Sequence, residues 1–264
     1  MGKKIGIIIP SYNQGKYLEQ TILSVLENKQ HVDMQIAVID GGSTDESIKI
    51  IQKYQEQFTF WCSEPDKGQA DAINKGIRAL PECDYYMWLN SDDVYEDEYA
   101  IKKIVDFAEK RSAEVCYGYS HFIDEKGKAI GEYPVEAYSK KNLGKRCYLS
   151  QPSVLFSRKA YQTVGELDAE YWMRLATKYS FVMIPEFIGC TRMYGETKTA
   201  TMQQKHLQEG MKILLKYYGK VPMQWVVTAF LEDNKNRVVS YIPKRLLMVV
   251  LYCGKNRIIK KYIE

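Results

Sequence analysis

Asn90-Ser91-Asp92-Asp93 is the stretch of this chain with the clearest chemical potential. Two adjacent carboxylates, Asp92 and Asp93, repel each other and call for a cation, a basic side chain or water. A hard divalent ion that also touches a diphosphate is one solution, because Mg²⁺ and Mn²⁺ take carboxylate and phosphate oxygens. A solvated turn, with Asp93 capping the helix that follows, is the other. The run Tyr85-Tyr86-Met87-Trp88-Leu89 leads straight into this turn. An apolar run of that length, bounded by turn residues, reads as a strand buried on both faces. The acids then stand just past its carboxyl end, the edge at which open α/β sheets bind ligands.

Other polar residues fall at equivalent places. Ile5 to Ile9 is a β-branched run ended by Pro10, followed by Ser11-Tyr12-Asn13. Gln35 to Ile39 is a second strand that ends in Asp40 and Gly41-Gly42. Phe58 to Trp61 is a short third, and Glu64-Pro65-Asp66-Lys67-Gly68 a loop after it. Between them, Leu18, Ile22, Val25 and Leu26 have helical spacing, Ser43-Thr44-Asp45-Glu46 has capping-box spacing, and Gln69 to Ala79 reads as a helix that carries Asp71. Strands alternating with helices imply a parallel sheet with right-handed crossovers. No G-x-G-x-x-G follows the first strand and no G-x-x-x-x-G-K-[ST] occurs. A nucleotide at this edge would therefore be held by carboxylates and a metal.

In the second half, Ala100 to Lys110 reads as a helix, Val115 to Tyr119 as a strand, Phe122 to Tyr133 as a hairpin and Gln151 to Phe156 as a strand start. Ala169 to Tyr179 reads as a helix, and Phe181 to Pro185 and Gly189 to Tyr194 as two strands. From Lys205 the pattern is helical, with apolar stretches Trp225 to Leu231 and Leu246 to Cys253. Both stretches fall short of the roughly 20 residues a bilayer span needs. Residues 235–264 hold eight Lys and Arg against Glu264, a net +7, which leaves −3 for the rest of a chain whose total is +4. Basic flanks on short apolar stretches suit contact with an anionic membrane surface; the alternative is helices that cover the sheet or pair two copies.

The six Cys are scattered with no C-x-x-C pair, which points to neither a zinc site nor a disulfide framework. Reduced thiols and a start that runs directly into a strand, without a signal peptide's apolar stretch, set the expectation of a cytoplasmic chain, peripheral at the inner face of the membrane. His31, His121 and His206 have no motif context. Nothing in the pattern asks for nucleic acid as a partner.

Five segments in this order resemble the family 2 glycosyltransferases: Ile7 to Asn13, Val38 to Asp45, Ser63 to Gly76, Trp88 to Asp93 and Tyr171 to Ala176. The resemblance implies an α/β fold, the glycosyltransferase-A fold, with a mostly parallel Rossmann-like central sheet flanked by helices. A catalytic domain would fill residues 1–204, with the nucleotide-sugar half in 1–95 and the acceptor half in 96–204. Residues 205–264 would form a helical extension. Pro10, Tyr12 and Asn13 would line a nucleobase pocket and Asp40 would accept a hydrogen bond from the base. Asp66, Lys67 and Asp71 would reach the ribose or diphosphate, with Asn90 and Ser91 beside them. Asp92 and Asp93 would hold Mg²⁺ or Mn²⁺, since Asn90 replaces the first acid of the usual motif, and Arg192 would approach the diphosphate.

The implied activity is inverting transfer of a sugar from a nucleoside diphosphate donor, UDP in many relatives, to a glycan or lipid-linked acceptor. It needs a carboxylate base across the sugar from the metal. Relatives usually place it in a segment roughly ten residues after a G-x-F/L-D stretch. Here Val164-Gly165-Glu166-Leu167-Asp168-Ala169-Glu170-Tyr171-Trp172 fuses the two. Asp168 or Glu170 would be the base, or Asp168 caps the next helix and the chain is a sugar-nucleotide binder with an impaired acceptor site.

Overall fold

The computed structural model describes residues 2–144, 147–194, 203–233 and 255–263. They divide into two compact units, one of Met1–Tyr138 with Tyr148–Tyr194, the other of Ser139–Cys147 with Gly195–Glu264. The second unit thus takes in a short internal segment as well as the C-terminal one.

The first unit is built on one sheet. Four strands, β1 (Lys4–Ser11), β2 (Asp33–Asp40), β3 (Phe60–Ser63) and β4 (Tyr85–Trp88), pair in parallel in the order β3-β2-β1-β4. Helices α1 (Gly15–Asn28), α2 (Ser47–Tyr54) and α3 (Gln69–Ala79) make the crossovers. Covered on both sides, β1 buries Ile5, Ile7, Ile8 and Ile9 completely, which is why its sequence is a continuous β-branched run rather than an alternation. Leu18, Ile22 and Val25 form the buried stripe of α1.

Beyond β4 the sheet continues as β8-β6-β9-β5, formed by β5 (Val94–Tyr95), β6 (Val115–Ile123), β8 (Val154–Ser157) and β9 (Val182–Arg192), with β7 (Ala129–Glu132) as a hairpin partner of β6. This half is mixed: β8 runs antiparallel to β4 and β6, while β9 runs parallel to β6. One long strand, β9, replaces the two expected across Phe181 to Tyr194. Its Pro185 and Gly189 are accommodated because the β6–β9 register shifts between Tyr117 and Ser120. Around it lie α4 (Ala100–Arg111), α6 (Arg158–Val164) and α7 (Tyr171–Lys178).

In the second unit, α5 (Lys140–Leu143) is joined by α8 (Gln203–Tyr218), α9 (Met223–Asp233) and α10 (Lys255–Ile263). Its core is Leu207, Met211, Val221, Val226 and Ala229, with Ile258 and Ile259 of α10 packed on them. Leu246 to Cys253 and the basic residues from Lys235 to Arg245 lie outside the described residues. Among the described residues no helix is long and apolar enough to cross a membrane.

Candidate active site

Register brings the polar turns to one edge. Ser11 pairs with Asp40 and Asp40 with Ser63, while Ile8 pairs with Trp88. The turns after β1, β2, β3 and β4 therefore leave the sheet side by side.

Asp40 is fully buried. Its Oδ2 accepts from Gly42 N (3.0 Å), Ser43 N (2.8 Å) and Ser63 Oγ (2.7 Å), and its Oδ1 from Ser43 Oγ (2.5 Å). A carboxylate offers about four acceptor positions, and this turn uses that number. Asp40 organises the turn, with Gly42 at φ +82°. The expected capping box is not formed. Ser43 Oγ is committed to Asp40 and to Asn13 N, so α2 starts only at Ser47, whose N–H donates to Asp45 Oδ1. We expect Asp40→Ala to cost about 2–4 kcal/mol, because buried donors lose their acceptor. Urea denaturation measures it, and an unchanged midpoint would return Asp40 to a ligand-binding role.

Of the first-turn residues, Pro10 is buried inside β1 opposite Ile39. Asn13 clamps the turns: its Oδ1 accepts from Thr44 N at 2.8 Å. Tyr12 is 58% exposed. A Cβ on Gly41 would stand 2.8 Å from Asp66 Oδ2 and 3.3 Å from the Tyr12 ring. Lacking that carbon, Gly41 lets an aromatic face and a half-buried carboxylate converge. Asp66 Oδ1 also accepts from Gly68 N (2.7 Å), and Asp71 Oδ2 from Lys67 N (3.1 Å), which shapes the loop that carries the exposed Lys67.

The acidic turn splits its two acids. Asp93 is 3% exposed, accepts from Arg192 N (2.9 Å) and Asn90 Nδ2 (3.0 Å), and is pushed far above the carboxylate range by burial and then by the charge of Asp92. It faces inward and braces the turn. Ser91, 4% exposed, is also turned in. Asp92 is only partly buried, and its Oδ2 accepts from Tyr194 Oη at 2.7 Å. Burial and that bond raise the Tyr194 phenol, so it stays a donor. Gln14 Nε2 donates to the same phenol oxygen at 3.1 Å, and Gln69 bonds Asn90. These contacts tie the turns after β1, β3 and β4 into one edge.

Arg192 does not reach outward. It is 2% exposed, and its guanidinium donates to Asp92 O (2.8 Å), Asp124 O (2.9 Å), Glu125 O (3.1 Å) and Gln20 Oε1 (2.9 Å). It also lies 4.7 Å from the Tyr17 ring centre. With its donors on three backbone carbonyls and the Gln20 amide oxygen, it fixes the acidic turn.

On the other side of β4, Trp88 stacks on Trp172 of α7 with ring centres 5.3 Å apart. Gln151 Nε2 donates to Trp88 O at 2.5 Å. The indole N–H of Trp88 and the hydroxyl of Tyr171 are buried without a hydrogen-bond partner. Asp168 is paired with Arg174 (Nη1 to Oδ2, 2.6 Å) and accepts from Glu170 N (2.8 Å). Arg174 also holds Val164 O and Glu166 O, so Asp168 belongs to the clamp that closes the α6–α7 turn. Glu170, half-buried, stands at the start of α7 two residues before Trp172.

The sequence did not single out Gln14, Gln69 or Tyr194: Gln14 directly follows the segment Ile7 to Asn13, Gln69 lies inside Ser63 to Gly76, and Tyr194 ends the expected last strand.

The family model for glycosyl transferase family 2 matches residues 6–165. An uncharacterized glycosyltransferase of Rickettsia typhi is 29% identical over 277 residues, covering 98% of this chain and 82% of that protein. The poly(ribitol-phosphate) beta-N-acetylglucosaminyltransferase TarP of Staphylococcus aureus is 27% identical over 147 residues, 54% of this chain and 43% of that protein. Among solved structures, S. aureus TarS 1-349 in complex with UDP-GlcNAc superposes with a TM-score of 0.61 at 14% identity, covering 85% of this chain and 70% of that one. The mannosyltransferase PcManGT of Pyrobaculum calidifontis, in complex with GDP-Man and Mn²⁺, gives 0.61 at 13% identity over 84% and 66%. The structural likeness establishes the glycosyltransferase-A architecture, and with the family match over more than half of its length the chain belongs to glycosyl transferase family 2.

Proposed function

We propose that this chain moves a sugar from a UDP-linked donor to a hydroxyl of a glycan or lipid-linked acceptor in cell-surface polysaccharide synthesis, inverting the anomeric centre. The observation that carries this reading is Asp92, a partly exposed carboxylate held by Tyr194 at the edge that also presents Tyr12 and Asp66. The UDP-GlcNAc complex of TarS supports the donor class. Tyr12 offers a face for the base, Asp66 an acceptor for base or ribose hydrogens, and Lys67 a charge for phosphate oxygens. Asp71 and Asn90 border the same edge.

The donor set suits a hard cation, since Mg²⁺ and Mn²⁺ are commonly bound by one or two carboxylates together with substrate phosphates. Asp92 would hold it, with Asn90 beside it as a neutral oxygen donor. A bound dication would stabilise the negative charge that builds on the departing diphosphate. The basic C-terminal segment would keep the enzyme at an anionic membrane surface on the cytoplasmic side.

The acceptor hydroxyl must lose a proton as it attacks. We assign proton removal to Glu170, half-buried at the start of α7 two residues before Trp172, a ring that an acceptor sugar can pack on. Glu170→Gln should lower kcat by about 10²- to 10⁴-fold, the usual contribution of a general base, and leave donor affinity unchanged. Asp168→Asn should act mainly on stability. The reverse pattern in transfer assays would move the role to Asp168. A second reading, a donor-binding subunit without turnover, rests on the Asp168–Arg174 pair. Release of UDP from the donor, with and without acceptor, decides between them: no turnover with any acceptor favours the binder.

A further inference from the structure

Glu96, His121 and Cys190 come from three different parts of the sequence and meet at one point. Glu96 directly follows β5, His121 lies on β6 and Cys190 on β9. Register explains the meeting, because Cys190 pairs with His121 on one side and with Val94 on the other. One carboxylate oxygen, Glu96 Oε2, lies 2.9 Å from His121 Nδ1 and 3.1 Å from Cys190 Sγ. All three donor atoms lie within 4.8 Å of one another. The His121 ring is held flat on Phe187, with centres 4.0 Å apart and planes 2° apart. Donor-sugar chemistry as described above uses none of these groups.

We propose that Glu96, His121 and Cys190 form a transition-metal site of the zinc type, separate in its ligands from the hard-cation site at Asp92. The geometry is close to what zinc needs. Ligands at about 2.0–2.3 Å from a tetrahedral centre stand about 3.3–3.8 Å apart, so a small opening of the present contacts would admit the ion. The donor set is also selective. Sulfur and imidazole favour Zn²⁺ or Co²⁺ over the Mg²⁺ and Mn²⁺ that suit an all-oxygen site. A thiolate and a carboxylate together balance the dication's charge. The site is not sealed: the Glu96 and His121 side chains are 26% and 24% exposed, which leaves an entry path and room for water as a fourth ligand.

Without metal, burial and the Glu96 carboxylate raise the Cys190 thiol above its ordinary range, so it stays protonated and donates to Glu96. Metal binding replaces that proton: the S–H bond breaks, the S–metal bond forms and one proton leaves to solvent. The bound ion would clip β5, and the acidic turn before it, to β9 and β6.

Co²⁺ is the probe, added to the full-length chain, reduced and under anaerobic conditions. Wild type should develop a thiolate-to-cobalt charge-transfer band. Zn²⁺ should bleach it and raise the melting temperature. Cys190→Ser should lose the band. Glu96→Gln and His121→Gln should weaken Co²⁺ binding by more than the roughly 10- to 100-fold that an outer-shell change costs, and they carry the test if Cys190→Ser fails to fold. Asp92→Asn should keep the band. Absence of a band in wild type, or an unchanged band and affinity in both Glu96→Gln and His121→Gln, overturns the site.

Discussion

An Asp92→Asn variant should transfer sugar about 10³-fold more slowly than wild type, a loss of about 4 kcal/mol of barrier lowering. The reasoning is geometric. Asp92 is the one acid of the turn whose carboxylate is partly open, while Asp93 is closed off by Arg192 N and Asn90. Replacing a charged oxygen donor by a neutral amide removes the main anchor for a dication at the diphosphate. Fold stability should hardly change, since Tyr194 can still donate to the amide oxygen. Calorimetry of UDP with and without Mn²⁺, run beside the transfer assay, separates metal loss from misfolding. Metal-stimulated UDP binding that survives in Asp92→Asn would refute the assignment. Asp93→Ala should lower stability first, because it leaves a buried N–H and a buried amide unpaired.

The second large effect belongs to Arg192. Arg192→Ala should destabilise the first unit by about 4 kcal/mol, at the upper end for single substitutions. The change leaves the carbonyls of Asp92, Asp124 and Glu125 without this donor and opens a void beside Tyr17. Arg192→Lys should recover little, because one ammonium cannot span the carbonyls that a planar fork reaches. Urea denaturation gives the number. A loss below about 1 kcal/mol, together with weakened UDP binding, would instead show Arg192 acting on the ligand.

These two residues also show where sequence reading ends. Helices α1 and α3 were legible because apolar spacing and turn residues fix them locally, and α3 occupies Gln69–Ala79 as expected. Strands β1, β2 and β4 were legible because burial on both faces leaves a continuous apolar run, whereas β3, partly exposed at the sheet edge, begins two residues later than its sequence suggests. What could not be read was the direction of a polar side chain. Asp40, Asp93 and Arg192 look in sequence like groups awaiting a ligand, yet each has hydrogen-bond partners within the fold, 2 to 172 residues away. The Glu96, His121 and Cys190 meeting is invisible for the same reason. It depends on a β6–β9 pairing with register shifts that no local pattern announces.

The stacked indoles of Trp88 and Trp172 give the molecule an optical reporter of its own. Their rings are 5.3 Å apart and 14° from parallel, close enough for the two chromophores to couple and produce a paired circular-dichroism band. One indole rides on β4 and the other on α7, so the band reads the separation of those two elements. Any ligand that enters between them, or shifts α7, would change its amplitude without a dye, a label or a coupled enzyme.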